Sequence, residues 1–257
     1  MHLVDTHCHL NIDSFSTDLD AVLERAQTAG IHEFIVPAIT RSGWEQLRTL
    51  TEQYPSMYPA YGLHPMFMDK HEAEHIAELD QWLDTNSAIA VGECGLDFYL
   101  PEYDADAQLK LFKEQLVIAR NHKLPVIIHC RKAMDQVLKL LRETQPLTGV
   151  LHSFNGSLQQ ATQAIELGFI FGIGGPVTYD RASKMHALVR QLPRETLLLE
   201  TDAPDQPVSG HQGERNEPSL MINILHALAE IREEPIETVA TYTTANAHRL
   251  FKLAQGF

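Results

Sequence analysis

The sequence predicts an α/β protein, a (β/α)8 TIM barrel forming a single domain over residues 1–257. Three observations predict it. Strand-like and helix-like segments alternate from one end of the chain to the other. Eight short runs, almost continuously apolar, recur about 20 to 36 residues apart, the size of one β-α unit. Five of those eight runs close on a side chain that binds metals.

The runs cover residues 3–4, 33–39, 57–61, 88–91, 125–128, 149–151, 169–173 and 196–199. Continuous apolarity is what a parallel strand buried on both faces requires. Between them lie amphipathic segments. Residues 17–29 carry Leu19, Val22, Leu23 and Ala26 on one helical face and stop at Gly30. Residues 104–122 repeat Leu109, Phe112, Leu116 and Ala119 at helical spacing, with Asp104 as the cap. A helix over 157–167 ends at Gly168, and two more, over 218–231 and 236–251, finish the chain, Pro218 suiting a first helical position. The one long irregular stretch, 203–217, is rich in Pro, Gly and polar residues, and follows the eighth strand, where a loop would overhang the barrel mouth.

Composition narrows the function. With 34 acidic against 20 basic residues the net charge is −14, which argues against a basic groove tracking a long duplex. A substrate held by its end fits better, since bound cations and a few arginines can serve one phosphate. No apolar run approaches a transmembrane length and no basic, apolar leader opens the chain, so a cytoplasmic protein without membrane contact is expected. Nothing in the sequence speaks to oligomeric state. Three cysteines without a C-x-x-C pair give no disulfide framework. Cys8, Cys94 and Cys130 each neighbour a ligand-type residue, so strand alternation turns them toward the helices as buried small hydrophobes; a catalytic thiol is the alternative.

The ligand-type residues converge if the strands close into one barrel. His7 and His9 end the first strand, two apart and therefore on one face. Glu93 ends the fourth between Gly92 and Cys94-Gly95, and a carboxylate can bridge two ions where an imidazole serves one. His129 and His152 end the fifth and sixth, and Asp202 ends the eighth, where it can touch a metal and take a proton from water. Asp5 and Glu200 lie one layer deeper, Asp5 placed to orient a histidine and Glu200 to support the strand end. His64, before Pro65, exceeds what two metals need and is either a substrate contact or structural. Arg131, two beyond His129, is either a phosphate or carboxylate anchor or a salt-bridge partner at a helix start. Arg215, Asn216 and Glu217 meet substrate or cap the following helix.

In order, H-x-H, G-L-H-P, G-E-C-G-L-D-F-Y, I-H-C-R, H-S-F, E-T-D-A-P and R-N-E-P resemble the TatD-type metal-dependent hydrolases of the amidohydrolase superfamily. The resemblance runs from His7 to the closing Asn246-Ala247-His248-Arg249-Leu250-Phe251. It implies a TIM barrel, a two-metal site and hydrolysis, often of DNA or RNA ends in the 3′-to-5′ direction. By position it assigns His7, His9, Glu93, His129, His152 and Asp202 to the metals, and His64 and Arg131 to the substrate side. Asp205-Gln206 departs from the family's more usual aromatic-aliphatic pair, which bears on substrate preference.

The expected reaction is hydrolysis of a phosphodiester by a metal-activated water, with Glu93 and Asp202 as the catalytic carboxylates. One ion is expected on His7, His9, Glu93 and Asp202, the other on Glu93, His129 and His152. Such a histidine-rich pair of sites suits Zn²⁺, Mn²⁺, Co²⁺ or Ni²⁺, with Mg²⁺ possible alongside substrate. The rival from carbon chemistry is an amide or ester hydrolase, or a deacylase, acting on a small or acyl-nucleic-acid substrate. A catalytically silent metal-binding scaffold is the third reading, and the complete ligand set argues against it.

Overall fold

The computed structural model describes residues 1–99 and 102–253. Its eight strands, β1 Leu3–Asp5, β2 Ile31–Pro37, β3 Met57–Tyr61, β4 Ala90–Asp97, β5 Val126–Arg131, β6 Gly149–Leu151, β7 Phe169–Ile173 and β8 Leu197–Leu199, stand in one parallel sheet in chain order. The helices are α1 Leu19–Thr28, α2 Trp44–Gln53, α3 His75–Thr85, α4 Ala105–His122, α5 Met134–Glu143, α6 Leu158–Glu166, α7 Ser183–Gln191, α8 Met221–Arg232 and α9 Ile236–Phe251. This is the TIM-barrel-like α/β fold that the alternation predicts.

Internal contacts sort the chain into two units. The first comprises Met1–Val36, Ser153–Leu158 and the chain from Ile170. Here the first and last strands are joined beyond their ladders. Thr6 N–H donates to the Leu199 carbonyl at 3.1 Å, and Asp202 N–H donates to the His7 carbonyl at 2.8 Å. His9 N–H reaches Ala203 O at 2.8 Å and Cys8 N–H reaches Ile35 O at 3.1 Å. Phe15, Phe34 and the pair Phe154–Phe171, with ring centroids 4.4 Å apart, fill the interior.

The second unit comprises Pro37–His152 and Gln159–Phe169. Its aromatic core is Trp44, Tyr61 and Trp82, with centroids 5.6 to 6.3 Å apart in tilted and edge-on pairs. Along β4 and β5 the register sets Gly95 against His129 and Asp97 against Arg131. A Cβ on Gly95 would stand 2.0 Å from the His129 carbonyl oxygen, so only glycine admits this approach.

Helix α4 begins where Asp104 caps it, its carboxylate accepting from Ala107 N–H at 2.9 Å. Two of its glutamines, polar and seven apart, are buried and clamp strand ends. Gln108 accepts from Asp97 N–H at 2.8 Å and donates to Asp97 O at 3.1 Å. Gln115 does the same for Leu63, at 2.8 and 3.0 Å.

The structure differs from the sequence reading at several boundaries. β1 stops at Asp5, so His7 and His9 lie past it; His152 lies past β6 and Asp202 past β8. Glu93 is interior to β4, which continues to Asp97. At these ends the backbone keeps its hydrogen bonds to adjacent chain but leaves the regular ladder, freeing the side chains to turn. Asp202 has φ +59°, a left-handed conformation that Asp tolerates better than most residues. Pro218 opens a short 3-10 turn, Pro218–Leu220, before α8.

Candidate metal centre

In the first unit the chain segments following β1 and β8 lie side by side and bring His7, His9 and Asp202 together. Their ligand atoms form a small triangle: His7 Nε2 to His9 Nε2 is 3.3 Å, His9 Nε2 to Asp202 Oδ1 3.5 Å, and His7 Nε2 to Asp202 Oδ1 3.6 Å. The rings are nearly perpendicular, 82° apart. Nitrogen and oxygen ligands about 2.0–2.1 Å from a tetrahedral ion stand about 3.3 Å from each other. The triangle fits that spacing without rearrangement, and its imidazole-carboxylate chemistry suits a divalent metal.

The residues beneath this triangle hold its backbone. Asp5 is fully buried and accepts from Thr201 N–H at 3.0 Å, Thr201 Oγ1–H at 2.5 Å and His7 N–H at 3.3 Å. It thus ties the two ligand-bearing segments through their main chains, where the sequence reading has it orienting an imidazole. Burial raises its pKa to about 7 against the opposing pull of those donors. Glu200 is buried and accepts from Ser153 N–H at 2.6 Å. A Cβ on Gly172 would come 1.8 Å from its Oε2, so glycine makes room for this carboxylate.

Two residues that the sequence reading leaves without a defined role complete the support. Gln206 donates to Asp202 Oδ2 at 2.6 Å and accepts from Ser153 Oγ–H at 2.8 Å. Asn216, fully buried, donates to the carbonyls of Thr201 at 2.9 Å and Asp205 at 2.8 Å, while its N–H reaches Pro204 O at 3.0 Å. The charged residues of the R-N-E-P motif make contacts of their own. Arg215 makes a two-pronged pair with Asp18 at 2.8 and 2.7 Å and covers Phe15, and Glu217 pairs with Arg25. The motif fastens the loop to the start of α1.

In the second unit three imidazoles surround one oxygen of the buried Glu93. Oε1 lies 3.1 Å from His64 Nε2, 3.2 Å from His129 Nδ1 and 3.4 Å from His152 Nε2. His64 is buried, and its Nδ1 accepts from Met66 N–H at 3.1 Å. Its proton therefore resides on Nε2, which donates to Glu93. His64, Glu93 and His129 also form a cluster able to hold a divalent ion.

Asp97 is the second-unit residue that sequence reasoning missed. Fully buried, it accepts from His129 Nε2–H at 2.9 Å and from Tyr99 N–H at 2.9 Å. The other His129 nitrogen, Nδ1, faces Glu93 Oε1 at 3.2 Å. Burial pulls the His129 pKa down, but the hydrogen bonds with Asp97 and Glu93 outweigh it and the net shift is upward. Asp97 moves the complementary way: burial raises it, and the His129 bond and Tyr99 N–H bring it below the ordinary value. A signal was present, since Asp97 lies four residues beyond Glu93, where an extended strand repeats its face.

Arg131 ends β5 exposed, with its guanidinium 3.7 Å from the Tyr99 ring centre. Phe98 stacks on Tyr103 at 4.9 Å. Cys8 and Cys94 are buried and Cys130 is half-buried; burial pushes Cys94 and Cys8 well up and Cys130 to about 12, far from a reactive thiolate.

A parallel eight-stranded α/β fold with histidine-carboxylate clusters at its strand ends defines a divalent-metal-dependent hydrolase that works through a metal-activated water. A family model described as TatD related DNase matches residues 4–252, and the chain belongs to that family. It is 41% identical over 253 residues to the uncharacterized metal-dependent hydrolase YjjV of Escherichia coli strain K12, covering 97% of this chain and 98% of that protein. The crystal structure of that TatD homolog superimposes with a TM-score of 0.95 at 40% identity, covering 98% of both chains. The putative deoxyribonuclease tatdn3 of Danio rerio is 32% identical over 262 residues, covering 96% of each. Among the described residues no helix is long and apolar enough to cross a membrane.

Proposed function

We propose that this hydrolase is a phosphodiesterase acting on nucleic-acid ends, a deoxyribonuclease of 3′-to-5′ exonuclease type, with residues 1–257 forming one catalytic domain in the cytoplasm. In this reading His7, His9, Glu93 and Asp202 would hold one ion, and Glu93, His129 and His152 would hold the other. The donor set favours Zn²⁺, Mn²⁺, Co²⁺ or Ni²⁺, with Mg²⁺ usable beside substrate.

Bound divalent ions would supply Lewis acidity to the phosphoryl oxygens and bring the pKa of water toward about 7. The protein's own groups do the rest. The Asp202 carboxylate takes the proton of the attacking water while Gln206 fixes its Oδ2. Three imidazoles surround Glu93 Oε1, and His64 orients it through Nε2–H. Arg131 anchors a phosphate next to His64 and Glu93.

The observation that carries the substrate class is the group at the ends of β4 and β5. Tyr99 is 56% and Tyr103 43% exposed, and Arg131 covers one face of Tyr99. Aromatic faces beside a guanidinium suit a terminal base and its phosphate. The net charge of −14 opposes a long run of backbone contacts, which leaves an end.

The test is hydrolysis of end-labelled single-stranded DNA and RNA by metal-stripped protein resupplied with Mg²⁺, Mn²⁺ or Zn²⁺. Stepwise loss from the 3′ end, abolished in Asp202→Asn with the fold retained, is the expected result. Full activity in Asp202→Asn would overturn the proton-acceptor role. Absence of cleavage by a metal-loaded protein would overturn the nuclease reading and favour a small ester, amide or acyl adduct.

A further inference from the structure

We propose that His2, Glu33 and His248 form a separate binding site for a zinc-class divalent ion, at the opposite end of the first strand from His7 and His9. Glu33 sits near the start of β2 and is buried. Its Oε1 is 3.0 Å from His2 Nε2, and its Oε2 is 3.0 Å from His248 Nε2. His2 immediately precedes β1, and His248 lies in the last turn of α9. The three ligand atoms lie within 4.8 Å of one another.

His2 and Glu33 Oε1 meet with hydrogen-bond geometry, whereas a salt bridge between His248 and Glu33 would account for the distance but not for the geometry. His248 Nε2 and Glu33 Oε2 are both buried, and among the described residues neither has a hydrogen-bond partner, although they stand 3.0 Å apart. An N–H that made an ion pair would point at the oxygen. Ligands of one ion behave differently. Their lone pairs aim at a common point between them, leaving nitrogen and oxygen side by side at about 2.9–3.4 Å for bonds of 2.0–2.1 Å. The observed pair has the second arrangement.

The remaining parts are held for that role. The His32 ring stacks on His2 at 5.0 Å and 16°. Thr244 Oγ1–H donates to His2 O at 2.9 Å, fastening His2 to α9, and Leu3 N–H donates to Gly30 O at 2.9 Å. A divalent ion would supply a full countercharge to this buried carboxylate. Two imidazoles and one carboxylate with an open fourth position form a zinc-type donor set, poor for Mg²⁺ and Ca²⁺. His2 and His7 are five residues apart, about 17 Å in extended chain. The ion is therefore a staple joining the β1 start, β2 and α9, and takes no part in hydrolysis.

The test uses the full chain, stripped of metal, titrated with Zn²⁺ and followed by elemental analysis after desalting and by thermal denaturation. Wild type, His2→Gln and His248→Gln are compared. His2→Gln changes an exposed side chain and keeps the fold, so it covers the case in which His248→Gln does not fold. The expected result is one Zn²⁺ fewer per chain after desalting, and at least a tenfold weaker Zn²⁺ dependence of the melting temperature, with hydrolysis by His2→Gln unchanged. Equal Zn²⁺ content and an equal melting response in wild type and His2→Gln would overturn the proposal.

Discussion

Replacing Asp97 tests whether the metal centre is tuned by a residue that makes no proposed bond to metal. Its carboxylate holds His129 Nε2–H at 2.9 Å in a fully buried position, and Nδ1 of the same ring lies 3.2 Å from Glu93. A hydrogen bond to a charged group contributes about 1.5–3 kcal/mol. Asp97→Ala also leaves Tyr99 N–H without its acceptor, so a total loss of about 3 kcal/mol is expected. For a chain of this size that lowers the melting temperature by roughly 6–12 °C. Asp97→Asn keeps the shape and one acceptor oxygen, so its stability loss should be about 1 kcal/mol. Its effect on metal should remain large, because the neutral amide no longer raises the basicity of the imidazole. A 10–100-fold loss of metal affinity is expected from such partners, equivalent to about 1.4–2.8 kcal/mol. Competition with a chromophoric chelator measures it, and NMR of the metal-free protein should show the raised His129 pKa falling in the Asn variant. Wild-type metal affinity together with an unmoved His129 pKa in Asp97→Asn would refute the reasoning.

Two further outcomes follow from the loop behind Asp202. Asn216→Ala leaves the buried carbonyl of Thr201 and the part-buried carbonyl of Asp205 without this donor, and should cost about 1–3 kcal/mol in chemical denaturation; turnover should fall with it, whereas a loss below about 0.5 kcal/mol would show that the loop is held by other means. The Arg215 hydrogen bonds, against the opposing effect of burial, hold Asp18 below the ordinary carboxylate pKa, and those of Arg25 do the same for Glu217. A depressed carboxyl stabilises the fold above its unfolded pKa, and that contribution disappears as pH falls through the folded value. The stability gap between wild type and Asp18→Asn should therefore be present at neutral pH, close on acidification below the ordinary carboxylate range, and narrow in high salt. A gap independent of pH would show that the pair contributes nothing through charge.

Much of the fold was legible because its signals are local. Residues 57–61 and 169–173 read as strands from continuous apolarity and are β3 and β7. Asp104 read as a cap and is one. The strand ends were less legible. His7, His9, His152 and Asp202 all stand beyond the regular ladder, and Asp202 adopts a left-handed backbone; apolar periodicity does not report where a chain leaves its neighbours. Gln108 and Gln115 are polar yet buried, because each finds a main-chain N–H and C=O to satisfy. Arg215 could not be separated from a substrate contact by spacing, since its partner Asp18 lies 197 residues away.

By itself the sequence determined the fold class and the kind of chemistry, because hydrophobic runs, glycine stops and ligand-type side chains are properties of neighbouring residues. Tertiary structure alone decided which groups the nitrogens of His64 and His129 face, which carboxylates support ligands from behind, and which motif residues are fasteners. Those depend on Asp97 meeting His129 across two strands, on Met66 N–H reaching His64, and on Asn216 spanning to Thr201. A hydrogen bond acts over about 3 Å, and only the folded chain brings such groups that close.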